Sequence, residues 1–221
     1  MTQATEPDAP VWTATELAAR FGAIPLNRIR HDPPPGLATE DDVVEIHDHE
    51  NRLYELVGGV LVEKTVGAYE SYLAVLIARL LGNYAEARNL GIVLGADGMM
   101  RLAPGLVRIP DVSFISWQRL PGRRVPRDAI ANLAPDLAVE VISKGNTREE
   151  MEGKLHEYFD ADVRLVWYVY HAPRPEVHVY TGPAACTVLT LRDALDGGEV
   201  LPGFRLELAR VFAEPGQAPS A

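Results

Sequence analysis

The chain of 221 residues carries a single cysteine, Cys186, which excludes an internal disulfide framework and suits a reducing compartment. No apolar run is long enough to span a bilayer, and Met1 to Pro10 is polar and acidic, unlike a signal peptide. A cytoplasmic protein with no membrane partner is expected. Positive charge is in short supply: 21 Lys and Arg against 31 Asp and Glu leave a net charge of −10. Any nucleic-acid contact must therefore come from a local basic cluster, because phosphate neutralisation dominates such binding. The sequence has no glycine-rich phosphate loop, no Gly-x-Ser-x-Gly elbow and no Cys-x-x-Cys pair, and so no sign of P-loop, serine-hydrolase or dithiol chemistry. No internal repeat is visible either, so the length points to one domain.

What is present is an ordinary globular mixture, 47% hydrophobic and 24% charged. Residues 1–12 and 213–221 read as disordered ends around a single domain, 13–212. Thr13-Ala-Thr-Glu16 is a capping-box pattern ahead of Leu17 and Phe21, which predicts a short helix. Pro33 to Glu50 reads as an irregular, charged segment. Leu53 to Lys64 predicts a hairpin around Gly58-Gly59, with Glu55 on the same face as Val57, Val60 and Val62. Tyr69 to Tyr84 recurs at helical spacing, with Gly91 as its stop. Short strands follow over 92–94 and 99–102, then one strand from Val107 to Ile115 and a nearly continuous apolar strand from Pro135 to Ile142. Thr147 and Glu150 open a helix over 148–159; Leu165 to Tyr170 is a second central strand and Glu176 to Thr181 alternates like an edge strand. The order predicts a mixed α/β sandwich, a mixed β-sheet flanked by helices.

Two carboxylates carry the chemistry. Asp111 follows Pro110 at a strand start, and Glu140 sits between Val139 and Val141 in an apolar strand. A buried carboxylate costs several kcal/mol unless it is paired, protonated or metal-bound. Two brought together by neighbouring strands repel, and a hard divalent cation resolves the repulsion. On the following helix Lys154 shares a stripe with Met151, Leu155 and Tyr158, which points its ammonium at the sheet.

Pro110-Asp111, Asp136-Leu-Ala-Val-Glu140-Val-Ile-Ser143, Asn146-Thr147 through Lys154-Leu155 and Tyr158, and the hairpin Tyr54 to Val62 together resemble the Uma family of putative restriction endonucleases, over roughly residues 50–212. The resemblance implies a PD-(D/E)XK restriction-endonuclease-like core and a metal-dependent endonuclease acting on DNA. It implies Mg²⁺ or Mn²⁺ held by Asp111 and Glu140 near the Val141 carbonyl, and it allows a homodimer. The superfamily lysine belongs two residues after the second acid, where this chain has Ile142; Lys154 is the substitute, with Lys144 behind it. Where relatives carry a histidine early in the first long helix, this chain has Glu70.

Each residue also has a plainer role. Asp111 could cap a turn, Glu140 could partner an arginine, and Lys154 could reach past Tyr158 to solvent. Glu55 is either a further metal ligand or a carboxylate on a wet face. His47-x-His49 lacks a third ligand and reads as a solvated loop. Arg119, Arg123, Arg124 and Arg127, within nine residues of each other, are expected to lie beside both acids as a phosphate-binding loop, with surface ion pairs as the alternative. The rival to a nuclease is a catalytically idle binding module on the same fold; a partner-dependent nuclease component is a third reading.

Overall fold

Pro110 organises the architecture. It has no N–H for a strand ladder, so the apolar run from Val107 to Ile115 is two strands in two different sheets rather than the single strand expected. The computed structural model describes residues 11–65, 67–213 and 216; most of the expected disordered ends lies outside these. Trp12, within the described part, packs its ring near Phe21 and donates its backbone N–H to Pro35 O.

The elements run α1 (Ala14–Phe21), α2 (Glu40–Glu50), β1 (Tyr54–Val57), β2 (Val60–Glu63), α3 (Ala68–Ala87), β3 (Gly91–Leu94), β4 (Met100–Ala103), β5 (Leu106–Arg108), β6 (Val112–Ser116), β7 (Leu137–Ile142), α4 (Arg148–Asp160), β8 (Leu165–Tyr170), β9 (Glu176–Gly182), β10 (Ala185–Thr190), β11 (Ala194–Asp196), β12 (Arg205–Glu207) and α5 (Leu208–Val211). A four-stranded sheet has the order β2-β1-β5-β4, and a six-stranded sheet the order β10-β9-β8-β7-β6-β3. Among the described strands only β7 and β8 pair in parallel, joined by the crossover helix α4, so the large sheet is mixed. This is the α/β restriction-endonuclease-like arrangement, a central sheet flanked by helices.

Three local expectations are corrected. Glu40 to Glu50 is a helix, because Thr39 and Asp42 close a capping box at its start and Asn51 ends it in the left-handed region at φ 53°. His47 and His49, two apart on that helix, point in different directions, so they do not form a metal-binding pair. The long helix ends at Ala87, with Asn89 turning the chain at φ 52°. Gly91 instead opens β3, where a Cβ would lie 2.1 Å from Ile115 O. β9 is not an edge strand, because β10 covers it. The Gly58-Gly59 turn forms as its residues require, with φ 55° and 75°.

The two faces of the large sheet differ. Val139, Val141, Trp167 and Val169 pack on Leu73, Ile77 and Leu81 of α3. Ala138, Val166 and Tyr168 pack on Met151, Leu155 and Tyr158 of α4. Helix α4 is wedged between the two sheets: its apolar stripe meets the large sheet, and Glu150, Lys154 and Glu157, at i, i+4 and i+7, face the small one. Gly153 leaves room on this helix for Arg20 of α1, whose guanidinium would lie 1.8 Å from any Cβ there.

Candidate active site between the two sheets

β6 and β7 pair antiparallel with Val112 opposite Val139. One step beyond β6, this register sets Asp111 opposite Glu140, on the sheet face that α4 covers. Both carboxylates are buried, and Asp111 Oδ2 accepts the backbone N–H of Val141 at 2.7 Å. Pro110 is what places Asp111 here, at the crossing from the small sheet to the large one.

Each acid has its own cation. Lys64 Nζ lies 2.9 Å from Asp111 Oδ1 and also donates to the Ile109 carbonyl. Lys154 Nζ lies 3.2 Å from Glu140 Oε1 and 3.1 Å from Glu55, and the Tyr158 hydroxyl donates to Glu140 Oε1 at 2.5 Å. Lys154 therefore points at the β7 strand, as its helical stripe predicts, and it does not reach solvent. Lys144 is exposed in the turn after β7.

Glu55 is on the buried hairpin face, opposite Val62. Its oxygens are taken by Arg108 Nη1 at 2.7 Å, the Ile109 N–H at 2.9 Å and Lys154. Arg108 continues to Glu157, which also meets Arg20, and Arg28 clamps Glu150 through two nitrogens at 2.8 and 2.9 Å. The seam, buried at its centre and partly exposed at Arg20, Lys64 and Glu157, thus sets Arg20, Arg28, Lys64, Arg108 and Lys154 against Glu55, Asp111, Glu140, Glu150 and Glu157, five charges of each sign.

The titration directions follow from these contacts. Burial opposes the charge of Glu55, but Lys154, Arg108 and Lys64 outweigh it and hold that carboxyl well below its usual range. Burial pushes Glu140 the other way, upward, with the negative charges of Asp111 and Glu55 adding to it and Lys154 opposing. Burial also opposes the charge of Lys154, but Glu140 and Glu55 prevail and hold its pKa above the ordinary lysine value. Lys154 thus stands as a positive charge between Glu140 and Glu55.

The arginine loop is elsewhere. It leaves β6 at Ser116, whereas Asp111 precedes the opposite end of that strand. Arg123 donates to Asn89 at the C-terminal end of α3, a helix of 20 residues and so about 30 Å long. The other end of α3, at Glu70, meets His171 just past β8 on the acid side. Arg119 is paired with Asp136 and Asp162, Arg123 also lies over the Trp117 ring, and Arg124 and Arg127 are exposed. The expected position beside both acids is therefore corrected. The exposed cations at the acid end are Lys144, Arg148 and Arg174, on the segments that follow β7 and β8.

Sequence reasoning missed Lys64, Arg108 and Arg28. For Lys64 a signal existed: the period of two through Val60 and Val62 carries on to residue 64 and puts it on the Glu55 face. Arg108 shares that face from β5, where a lone arginine opposite a buried glutamate asks for pairing.

Among the described residues no group of three or more His, Cys, Asp or Glu side chains is placed to hold a metal ion. Asp111 and Glu140 are nonetheless an opposed pair of hard-oxygen donors, and Asp111 already binds one cation, the Lys64 ammonium. The pair fits Mg²⁺, which uses one or two carboxylates and completes its shell with water and substrate phosphate.

No helix among the described residues is long and apolar enough to cross a membrane. No curated protein matches the chain. The fold is similar to a crystal structure described as a putative nuclease belonging to DUF820 from Anabaena variabilis, with a TM-score of 0.64 and 13% identity, covering 72% of this chain and 89% of that one. A family model described as Uma2, putative restriction endonuclease, matches residues 41–209, so the chain belongs to the Uma2 family.

Proposed function

We propose that this protein is an endonuclease that uses Mg²⁺ or Mn²⁺ to hydrolyse phosphodiester bonds in DNA inside the cell. The observation that carries the reading is the buried pair Asp111 and Glu140, opposed across β6 and β7, with a buried lysine on each. Asp111 and Glu140 would hold the metal, which when bound polarises the phosphate and lowers the pKa of a water. The chain's own groups do the rest. Lys154 fixes Glu140 in place and keeps it ionisable despite burial, and Tyr158 orients the same carboxylate. Lys64, at the edge of the pair, is a second ammonium available to a phosphate oxygen. Glu55 holds Lys154 and Arg108 rather than a metal.

A second reading has an observation of its own. The seam is electrically balanced without any metal, and Ile142 stands where the superfamily places its lysine, so the fold could serve as an idle binding module. The two separate on one experiment. Plasmid nicking in Mg²⁺ and Mn²⁺ by the full chain, alongside Asp111→Asn, should show metal-dependent cleavage lost in the variant. Thermal melts of the same samples should show metal stabilisation in the native chain alone, about 2.7 kcal/mol at a hundredfold excess over the dissociation constant. Absence of both effects would leave the binding module standing.

A further inference from the structure

A cavity of about 380 Å³ lies on the same sheet face as Glu140, between α4 and the strands β8 and β9. Its floor is apolar, from Met151, Leu155 and Ile142, and its wall is aromatic, from Tyr170, His178 and Tyr180. The register explains the wall. Tyr168 pairs with His178 and Val166 with Tyr180, so alternate residues of two adjacent strands turn aromatic rings to α4. Tyr168 is buried beneath them, with its hydroxyl on Met151 O at 2.8 Å and its ring edge-on to Tyr180 at 5.2 Å. Tyr170 and His178 sit 4.6 Å apart, and these outer rings are only partly buried.

The cavity lies near the acid pair without being lined by it. Glu140 is the register partner of Tyr168, and His178 is the next residue across, so the aromatic wall stands about 10 Å from the Glu140 strand, two strand spacings. The same helix turns Met151 and Leu155 into the cavity and Lys154 and Tyr158 onto Glu140. At its mouth Arg148 pairs only with Glu152, four residues on and well exposed, a pairing weak enough to yield to a phosphate. Lys144 and Arg174 are exposed on the same end of the sheet.

We propose that this cavity is a nucleobase-stacking subsite and that the preferred substrate is single-stranded nucleic acid. The identity of the occupant rests on the nuclease reading of the acid pair. Three partly exposed aromatic rings over an apolar floor suit a planar heterocycle, and the flanking cations suit its phosphates. A base held in a duplex stack cannot enter; an unpaired one can, without the cost of being flipped out. Stacking in this half-open pocket would supply part of the affinity of a chain of net charge −10, which then needs no broad basic surface.

The test uses the full chain in Ca²⁺, with a short fluorescein-labelled single-stranded oligodeoxynucleotide and its blunt duplex in anisotropy titrations, and a 2-aminopurine version of the single strand to report stacking. The single strand should bind more tightly than the duplex, with 2-aminopurine fluorescence quenched on binding. Tyr170→Leu should weaken single-strand binding by between about 5-fold and about 150-fold, the range for one stacked base, whereas Tyr170→Phe keeps it. Equal or tighter duplex binding, no quenching, or an unchanged affinity in Tyr170→Leu would overturn the proposal. If Tyr170→Leu does not fold, the native chain's strand preference and quenching decide it. Metal-dependent duplex cleavage indifferent to Tyr170 would end this inference and keep the nuclease reading. Tyr170-dependent single-strand binding with no cleavage in Mg²⁺ or Mn²⁺ would support the subsite and end the nuclease reading.

Discussion

Removing Lys154 tests the electrostatic logic of the seam. In Lys154→Met the stem is replaced by a side chain of similar length, so packing on Met151 and Tyr158 changes little while one buried charge disappears. Two carboxylates lose a partner, but unequally. Glu55 keeps Arg108 at 2.7 Å and the Ile109 N–H at 2.9 Å, while Glu140 keeps only the Tyr158 hydroxyl among its close donors. Breaking a buried pair costs about 3–5 kcal/mol, and the remaining partners of Glu55 place this case near 3 kcal/mol at about pH 8. The pH dependence identifies the group responsible. Glu140 already has a folded pKa above its unfolded one, so its contribution is fully present below the unfolded value and is lost as pH rises through the folded one. Losing Lys154 raises the folded value further and extends that loss to higher pH, by about 1.4 kcal/mol for each added unit. Urea denaturation without metal at about pH 5 and about pH 8 should therefore show a smaller penalty at the lower pH. Adding Glu140→Gln to Lys154→Met should recover most of the penalty at about pH 8. A loss below about 1 kcal/mol, or one equal at both pH values and not relieved by Glu140→Gln, would refute the reasoning.

Glu140→Gln alone should abolish metal-dependent thermal stabilisation while leaving metal-free stability within about 1 kcal/mol, because Lys154 keeps Glu55 and the amide still accepts from Tyr158; paired melts with and without Mg²⁺ check both. Asp111→Asn should lower any metal-dependent cleavage at least about 100-fold, measured as plasmid nicking, since loss of a direct ligand exceeds the effect of losing an outer partner. Reversing Arg123 and Arg124 to Glu should leave DNA affinity and its salt dependence nearly unchanged, because that loop stands at the far end of α3. Reversing Lys144 and Arg148 should weaken binding and flatten the salt slope by about 0.7 to 0.9 for each phosphate no longer neutralised, read by anisotropy at several salt concentrations.

Much of this was legible in the sequence because it depended on local period. The Gly-Gly hairpin, the two helices opened by capping boxes at Thr13 and Thr147, the long helical stripe of α3 and the apolar strands around Glu140 and Trp167 follow from spacing alone, and so does Lys154 facing the sheet. What failed to show depended on long-range contact. The segment Glu40 to Glu50 is too polar for a helical stripe to stand out, although Thr39 and Asp42 formed a capping pair that could have been read. Its helicity is completed by Val43 and Ile46 packing on the small sheet. The arginine loop was misplaced because adjacency in sequence to both acid-bearing strands says nothing about which strand end the loop leaves. β10, nearly all exposed, carries no alternating pattern and was invisible for that reason. The pairings of Glu55 with Arg108 and of Arg28 with Glu150 span 53 and 122 residues, and no single-segment pattern encodes them.

The position of Pro110 explains why the acids and the charged seam occur together. A strand that stayed in one sheet would pair Asp111 into a ladder with an ordinary register neighbour. By ending β5 at Arg108 and starting β6 at Val112, the chain makes Ile109 to Asp111 the bridge between two sheets, and α4 must fill the wedge beside it. A wedge between two sheets cannot be closed by one apolar stripe, since a helix offers two faces to two different surfaces. The large sheet takes the apolar face. The small sheet's side takes Glu150, Lys154 and Glu157; the sheet answers with Glu55 and Arg108, and Arg28, donating to the Glu63 carbonyl of β2, answers Glu150. Replacing the seam with matched apolar residues should then keep or raise stability, as buried ion networks commonly allow, while removing the cation that holds Glu140. Glu55→Leu, Arg108→Met and Lys154→Leu combined with Glu157→Gln would measure this by urea denaturation and plasmid nicking together. A stable fold with no metal-dependent cleavage would assign the seam to the site's chemistry. A chain that no longer folds would assign it to fold specificity.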